Sequence, residues 1–164
     1  MNSALPRLHR QGAAPETGIV HLGLGAFFRS HGALVVEEAM KRSVGAWGIM
    51  GVSLQSPSTR DRLAPQGNLY SAVEMRPGAQ QVRIVNVLSG VMFAPEDPAG
   101  LVARLADPAV KIVSLTVTEK GYCHVPSTGG LDLLNPDIQH DIKNTIPRSA
   151  PGYIVRALMA RRAA

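Results

Sequence analysis

The sequence predicts an α/β fold with a mostly parallel, twisted sheet flanked by helices, and two observations carry this prediction. Short continuous apolar runs, of the kind that a strand covered on both faces requires, occur at 19–22, 47–54 and 111–118. Segments with apolar residues at helical spacing lie between and after these runs. Such alternation is typical of a parallel sheet whose strands are connected through helices.

The first apolar run leads directly into a glycine turn. Gly23 and Gly25 form Gly-x-Gly at the exit of the strand, and a helical pattern follows from Arg29 to Arg42. The first glycine allows a tight turn, and the second lets a ligand phosphate approach the backbone with no Cβ in the way. The free N–H groups and the dipole of the following helix favour an anion.

This strand-turn-helix context predicts a Rossmann-type dinucleotide site, because context separates a true fingerprint from a chance match. The third glycine of the usual fingerprint is absent, since Phe28 occupies its position. The alternative interpretation is an ordinary β-turn-α connection that binds nothing.

The second strand and an inserted β-hairpin follow the first helix. The run 47–54 predicts the second strand, again as a short apolar segment. Runs at 69–75 and 82–88 flank the Pro-Gly dipeptide at 77–78, which is a turn signal. A hairpin is therefore predicted where a simple crossover helix would be expected.

The end of the second strand bears on the choice of cofactor. In a dinucleotide fold this position usually carries an acid for the adenosine ribose hydroxyls. The first acid after the strand is Asp61, which Arg60 and Arg62 flank. An acid would repel a 2′-phosphate whereas a nearby arginine would accept one, so these residues allow either NAD or NADP. The alternative is that the three residues form a solvated turn.

Two further helices and one strand complete the pattern. Asp97 caps a short helix with Pro98 at its first position, and 111–118 is the clearest remaining strand. The segment 123–151 is rich in loop residues. A last helix is predicted over 152–162, and its expected buried face consists of Ile154, Val155, Leu158 and Met159.

The residues at the end of the last strand belong to the same expected site as the glycine turn. In an open α/β sheet, ligands bind at the carboxyl ends of the strands. Thr116, Thr118 and Lys120 are therefore expected to reach the same cleft as Gly23 and Gly25.

Composition excludes several classes of function. The 164 residues suffice for one domain with a core, and 45% hydrophobic with 18% charged residues is an ordinary globular composition. The net charge of +5 suits an anionic cofactor or substrate. The basic residues are scattered and few aromatics accompany them, which argues against nucleic acid as a partner.

The remaining expectations concern location, metals and the N-terminus. No apolar run approaches the ~20 residues of a membrane helix, and the single cysteine, Cys123, favours a reducing cytoplasm. No histidines or cysteines have metal-ligand spacing, so no metal is predicted, and His21 is expected to be a hydrogen-bonded core residue. Residues 1–17 are predicted to be a loose leader, followed by a dinucleotide-binding domain over 18–164.

Three motifs occur in a fixed order along the chain. They are His-Leu-Gly-Leu-Gly-Ala-Phe-Phe-Arg at 21–29, Trp-Gly-Ile-Met-Gly-Val at 47–52 with Leu-Tyr at 69–70, and Leu-Thr-Val-Thr-Glu-Lys-Gly-Tyr at 115–122. Together they resemble the N-terminal domain of the mannitol dehydrogenase family. This is a group of long-chain polyol and sugar-acid dehydrogenases that also includes fructuronate reductase and tagaturonate reductase. The resemblance covers 18–162.

The resemblance implies a Rossmann-type domain that binds NAD, with NADP not excluded. It implies hydride transfer between the nicotinamide and a sugar alcohol or sugar acid, of the mannitol/fructose or mannonate/fructuronate type. Cofactor contacts are implied for Gly23, Gly25, Ala26, Phe27, Phe28 and Arg29 in the glycine turn, and for Thr118, Glu119 and Lys120 near the nicotinamide. The chain departs from the family at Phe28, commonly histidine, and at Gln55, often arginine.

The chain is also shorter than members of this family. The resemblance implies that the catalytic lysine, with its asparagine and histidine partners, belongs to a downstream domain, so no catalytic residue is assigned here. The alternative function is a truncated, catalytically inactive nucleotide-binding fragment. The fold is expected to be incomplete, and self-association through an uncovered sheet edge is therefore predicted.

Overall fold

The computed structural model describes residues 6–163, and a four-stranded parallel sheet forms its centre. The strands of this part of the chain are β1 (Thr17–Leu22), β2 (Gly48–Ser53), β3 (Tyr70–Arg76), β4 (Ala79–Val85), β5 (Leu88–Phe93) and β6 (Ile112–Leu115). The α-helices are α1 (Ala26–Ser30), α2 (Gly32–Met40), α3 (Ser58–Leu63), α4 (Pro98–Ala106), α5 (Pro136–Lys143) and α6 (Ala150–Ala163).

The sheet has the order β5-β2-β1-β6, and every neighbouring pair is parallel. At its carboxyl edge Leu22 of β1 is level with Val52 of β2 and Leu115 of β6. This is the order of the first four strands, 3-2-1-4, of a doubly wound dinucleotide fold, which has about six strands when complete. The predicted class is confirmed, and the sheet is an incomplete version of that fold.

Two apolar layers cover the sheet. On one face Ile19 and Ile49 pack with Phe28 of α1 and Ala33 of α2. On the other face Val20, Leu22 and Val52 pack with the buried residues of α4 and α6, which are Leu101, Leu105, Tyr153 and Ala157. The strand β1 is buried on both faces because each of its sides contacts one of these layers.

The hairpin is confirmed, but its second strand ends earlier than predicted. The strands β3 and β4 pair antiparallel across the turn at 77–78. The predicted strand 82–88 in fact contains the end of β4 and the first residue of β5, which pairs with β2. Only Asn86 and Val87 separate the two strands, so the apolar pattern could not show where the chain leaves the hairpin.

The predicted first helix, from Arg29 to Arg42, is two helices. The first begins at Ala26, directly after the glycine turn, and the break falls at His31, whose φ of −129° and ψ of −76° are not helical. The ring of Phe28 lies against Gly32, where a Cβ would approach the ring to 2.5 Å. Because α1 begins at Ala26, its first amides directly follow the glycine turn.

The predicted buried face of the last helix is wrong for three of its four residues, and only Ile154 packs, half-buried, against the core. Val155, Leu158 and Met159 are 54%, 60% and 56% exposed, whereas the buried residues are Ala150, Tyr153 and Ala157. Tyr153 and Ala157 pack with Leu101 and Leu105 of α4, and the Tyr153 hydroxyl donates a hydrogen bond to the carbonyl oxygen of Ala94 at 3.3 Å.

The segment before β1 has no regular secondary structure over residues 6–16, yet one side chain anchors it. Arg10 donates from Nε to the carbonyl oxygen of Gly67 and from Nη2 to that of Leu88, both at 2.8 Å. The same guanidinium also contacts Asn86. These bonds tie the N-terminal segment to the start of β5.

Candidate functional site

A cleft of about 660 Å³ opens at the carboxyl ends of β1, β2 and β6. The glycine turn lines it through Gly23 and Gly25. One wall is the segment 53–59 that follows β2. The opposite wall is formed by residues that follow β6 and by the starts of α5 and α6. The cleft therefore lies where an open parallel sheet binds its ligands.

The two glycines of the turn have different roles. Gly23 has φ +92°, and a Cβ there would lie 2.3 Å from the carbonyl oxygen of Thr116, so only glycine fits between β1 and β6. Gly25 has extended backbone, and a Cβ there would meet nothing nearer than 3.8 Å. The missing side chain of Gly25 therefore leaves open space beside the helix start.

The amides that remain available at this turn belong to the helix and not to the glycines. The N–H groups of Gly23 and Leu24 both donate to the carbonyl oxygen of Val52 on β2, at 2.9 and 3.1 Å, and the Gly25 N–H donates to the carbonyl oxygen of Gly23 at 2.6 Å. The helical ladder starts with Arg29, whose N–H donates to the carbonyl oxygen of Gly25 at 3.1 Å. The amides of 26–28 consequently have no acceptor within the helix.

A buried histidine supports the turn from inside the sheet. The side chain of His21 is fully buried, with Nδ1 2.9 Å from Ser114 Oγ and Nε2 2.8 Å from Thr116 Oγ1. Because the Thr116 hydroxyl donates to the carbonyl oxygen of Gly23 at 3.1 Å, the hydrogen-bond network assigns the proton to His21 Nε2, which then donates to Thr116. The ring of Phe28 stacks on His21 at a centroid distance of 3.3 Å.

Burial lowers the pKa of His21 to about 4, against a smaller opposing contribution from a hydrogen bond with the Gly23 backbone. At neutral pH the imidazole is therefore uncharged, and its single ring proton is the one assigned to Nε2. His21 is the hydrogen-bonded core residue that the sequence predicts.

Arg29 stabilises the glycine turn from a position outside the cleft. Its Nη1 donates to the carbonyl oxygen of Leu24 at 2.9 Å and lies 3.5 Å from Thr59 Oγ1. The Tyr70 hydroxyl donates to the carbonyl oxygen of Arg29 at 2.7 Å. The arginine therefore links the glycine turn to the wall that follows β2 and to the hairpin.

The structure brings together some of the residues that the sequence assigned to the cofactor. Gly23, Gly25, Thr118 and Lys120 line one cleft, whereas Glu119 does not. Ala26 and Phe27 are exposed at the start of α1, and Phe28 and Arg29 support the turn without lining the cleft. Their roles in cofactor binding stay predictions.

Sequence reasoning found the part of the opposite wall that follows β6 but missed the hydroxyl side chains after β2 and the contribution of Arg148 and Ser149. The hydroxyl side chains after β2 could have been found, because residues at the end of that strand face the ligand in any dinucleotide fold. Arg148 and Ser149 reach the cleft only because Asp141 accepts hydrogen bonds from both of their backbone amides, at 2.8 and 2.9 Å. No motif in the sequence indicates this arrangement between α5 and the loop before α6.

The described part of the chain supports no metal site, no reactive cysteine and no membrane-spanning helix. Over residues 6–163, no group of three or more His, Cys, Asp or Glu side chains could hold a metal ion. Burial, together with nearby aspartates, raises the pKa of the Cys123 thiol, which disfavours a reactive thiolate. None of the helices within the same residues is long and apolar enough to cross a membrane.

The parallel sheet, the glycine turn and the cleft at the carboxyl edge define an α/β domain of the Rossmann type. Residues 17–164 match the model of the mannitol dehydrogenase Rossmann domain. The chain belongs to the mannitol dehydrogenase family, as its three motifs indicate.

Individual relatives agree with this assignment. An uncharacterized oxidoreductase of Escherichia coli, YeiQ, is 42% identical over 96% of this chain, and the D-mannonate oxidoreductase of the same organism is 41% identical over 90%. The Pseudomonas fluorescens mannitol 2-dehydrogenase, solved with NAD and D-mannitol, superposes with a TM-score of 0.85 at 37% identity over 91% of this chain. The matches cover 32%, 31% and 31% of those proteins, so the chain spans about a third of their length.

Proposed function

We propose that this chain binds NAD and forms the cofactor-binding part of an oxidoreductase that acts on a sugar alcohol or a sugar acid. The observation that carries the proposal is the arrangement at Gly25, which lines the cleft without a side chain and directly precedes three helix amides, 26–28, that have no acceptor within the helix. A pyrophosphate has the charge and size for that position. The bound nicotinamide would supply hydride transfer.

Two further residues that line the cleft are expected to contact the bound cofactor. Lys120 and Thr118 lie at the end of β6, on the side where the resemblance puts the nicotinamide. The mannitol and mannonate chemistry of the relatives supports a polyhydroxylated substrate. A cytoplasmic location is part of this proposal, and the unpaired thiol of Cys123 supports it.

The test is the substitution Gly25→Val. Because a Cβ at this position meets nothing within 3.8 Å and the backbone is extended, valine fits the unliganded protein. We expect the affinity for NADH to fall at least about tenfold, while the poorer N-cap costs no more than about 1 kcal/mol of stability. Fluorescence titration with NADH and thermal unfolding measure the two quantities.

The matched control is Gly130→Val, which is outside the cleft and meets only Thr128 Oγ1 at 3.5 Å. We expect this variant to keep the wild-type affinity. Unchanged affinity in Gly25→Val would refute the proposed site. A sugar-dependent assay with mannitol, mannonate and altronate then separates an active enzyme from an inactive nucleotide-binding domain.

A further inference from the structure

The wall of the cleft that follows β2 carries four hydroxyl side chains beside Leu54 and Gln55. Ser53, Ser56, Ser58 and Thr59 all line it. These groups are neutral and can both donate and accept hydrogen bonds. In a dinucleotide fold this is the wall where an acid usually binds the ribose 2′-hydroxyl and excludes a 2′-phosphate. The segment 53–59 contains no acid.

The nearest acids along the chain are engaged elsewhere. Asp61 accepts from Arg60 through Oδ1, at 2.9 Å from Nε and 2.8 Å from Nη2, and Glu96 pairs with the same guanidinium. Neither carboxylate lines the cleft. Asp137 does line it, but this residue belongs to α5 on the opposite wall. Asp61 is therefore not placed to bind the ribose. Residues 60–62 also do not form a turn, because they lie within α3.

Two cations contact the hydroxyl wall from behind. Arg29 Nη1 lies 3.5 Å from Thr59 Oγ1, and Arg62 Nε donates to the carbonyl oxygen of Ser58 at 3.1 Å. Within residues 6–163, neither guanidinium forms a salt bridge. Their charge makes the potential at this wall more positive, which favours an additional anion on the ligand.

We propose that this wall admits the 2′-phosphate of NADP as well as the 2′-hydroxyl of NAD, so that the chain binds both coenzymes. The inference rests on the proposed function, because it concerns the adenosine end of the same cleft. Hydroxyl side chains bind either group, and no carboxylate on this wall repels the phosphate.

The first experiment compares NADH and NADPH on the wild-type chain at matched ionic strength, by fluorescence titration. We expect the Kd for NADPH to be no more than about tenfold above that for NADH. A larger ratio overturns the inference and leaves the proposed function intact. If neither coenzyme binds, the proposed function and this inference both fail.

The second experiment places a carboxylate on the wall with Ser56→Asp. Ser56 Oγ accepts a hydrogen bond from the Ser58 amide at 3.2 Å, and an aspartate can accept the same bond, so the local turn is retained. We expect NADPH affinity to fall at least about tenfold while NADH affinity changes less than about threefold. An equal effect on both coenzymes overturns the inference.

The matched control is Ser43→Asp, which adds the same charge in an exposed turn between α2 and β2. We expect this variant to leave the ratio of the two Kd values unchanged. A shift in the ratio equal to that of Ser56→Asp would assign the effect to net charge and overturn the role of the wall.

Discussion

At the scale of single residues, the two glycines of the turn predict opposite outcomes for similar substitutions. Gly25 is open to a side chain, whereas Gly23 has φ +92° and a Cβ there would lie 2.3 Å from the carbonyl oxygen of Thr116. We expect Gly23→Ala to lower the free energy of unfolding by about 2–4 kcal/mol, because strain and a backbone clash add. Urea denaturation measures the loss.

The control for Gly23→Ala is Gly130→Ala, whose new methyl group would have an ordinary contact only, 3.5 Å from Thr128 Oγ1. We expect a change within about 0.5 kcal/mol for this variant. Equal stability of the two variants would show that the turn relaxes freely around residue 23, contrary to the geometry.

His21 makes the stability of the fold depend on pH. Its pKa in the folded protein is about 4, below its ordinary value of 6.5, because burial disfavours the charged ring. The unfolded chain therefore binds more protons between these values, and stability present above pH 6.5 is lost as the pH falls towards 4. The loss expected from this residue is on the order of 3 kcal/mol.

The measurement is the free energy of unfolding from pH 7 to pH 4 for the wild-type chain and for His21→Gln, which hydrogen-bonds without titrating. The carboxylates titrate equally in both proteins, so the difference between the two curves reports His21. We expect the wild-type chain to lose more stability on acidification. Parallel curves would contradict a buried neutral imidazole.

The sequence predicted the identity of the turn residues but not all of their tasks. Gly23 and Gly25 were assigned to the cleft from the Gly-x-Gly turn, and Thr118 and Lys120 from the end of the last strand, and all four line it. Phe28 and Arg29 follow the same motif but contact His21 and Leu24, because the helix turns their side chains away from the cleft. A motif specifies neighbours in sequence, whereas these contacts depend on the packing of three elements.

At the scale of elements, one carboxylate holds α5 and α6 together. Asp141 on α5 accepts from the amides of Arg148 and Ser149 and from the Ser149 hydroxyl, at 2.8, 2.9 and 2.6 Å. Burial alone would raise the pKa of Asp141, but the hydrogen bonds from Ser149, His140 and Arg148 outweigh it and lower the pKa. The loop before α6 therefore depends on a charged acceptor.

We expect Asp141→Asn to lower the free energy of unfolding by about 1–3 kcal/mol, since an amide has one acceptor oxygen and leaves buried donors unpaired. Chemical denaturation at pH 7 measures this. The control, Asp132→Asn, retains the oxygen that accepts from the Leu134 amide and should change stability by less than about 1 kcal/mol. Equal losses in both variants would contradict a special role for Asp141.

The helix α5 shows what the element pattern could and could not predict. The sequence treated 123–151 as loop-rich, yet Asn135 caps α5 through bonds to the amides of Asp137 and Ile138, with Pro136 at the first helical position. This start signal is visible in the sequence, but few apolar residues follow it. The strand β5 was missed because the adjoining hairpin strand has the same character.

At the scale of the whole molecule, the alternation of strands and helices was sufficient to predict the parallel sheet. It was not sufficient for the packing of its last helix. The prediction placed four large apolar residues of α6 inside, whereas the helix packs through Ala150, Tyr153 and Ala157 and leaves Val155, Leu158 and Met159 exposed on one face. Helical spacing identifies an apolar face but does not reveal which neighbour covers it.

The uncovered surfaces lead to the prediction that the chain self-associates. The strand β6 ends the sheet among the described residues, with Ile112 and Val113 46% and 39% exposed. The apolar face of α6 adds Leu158, whose exposed fraction is 60%. Exposed apolar helix faces and unpaired strand edges both favour association, so sedimentation should show species larger than the monomer at micromolar concentration.

Leu158→Glu separates the helix face from the sheet edge in this prediction. The substitution places a charge on the apolar face of α6 without touching the core, so we expect less association and an unchanged thermal midpoint. Val44→Glu is the control, because Val44 is fully exposed in the turn after α2 and should leave association as it is. If Leu158→Glu associates like the wild-type chain, the edge of β6 is the remaining surface. If the wild-type chain stays monomeric at all micromolar concentrations, neither apolar surface drives association and the prediction is wrong for both.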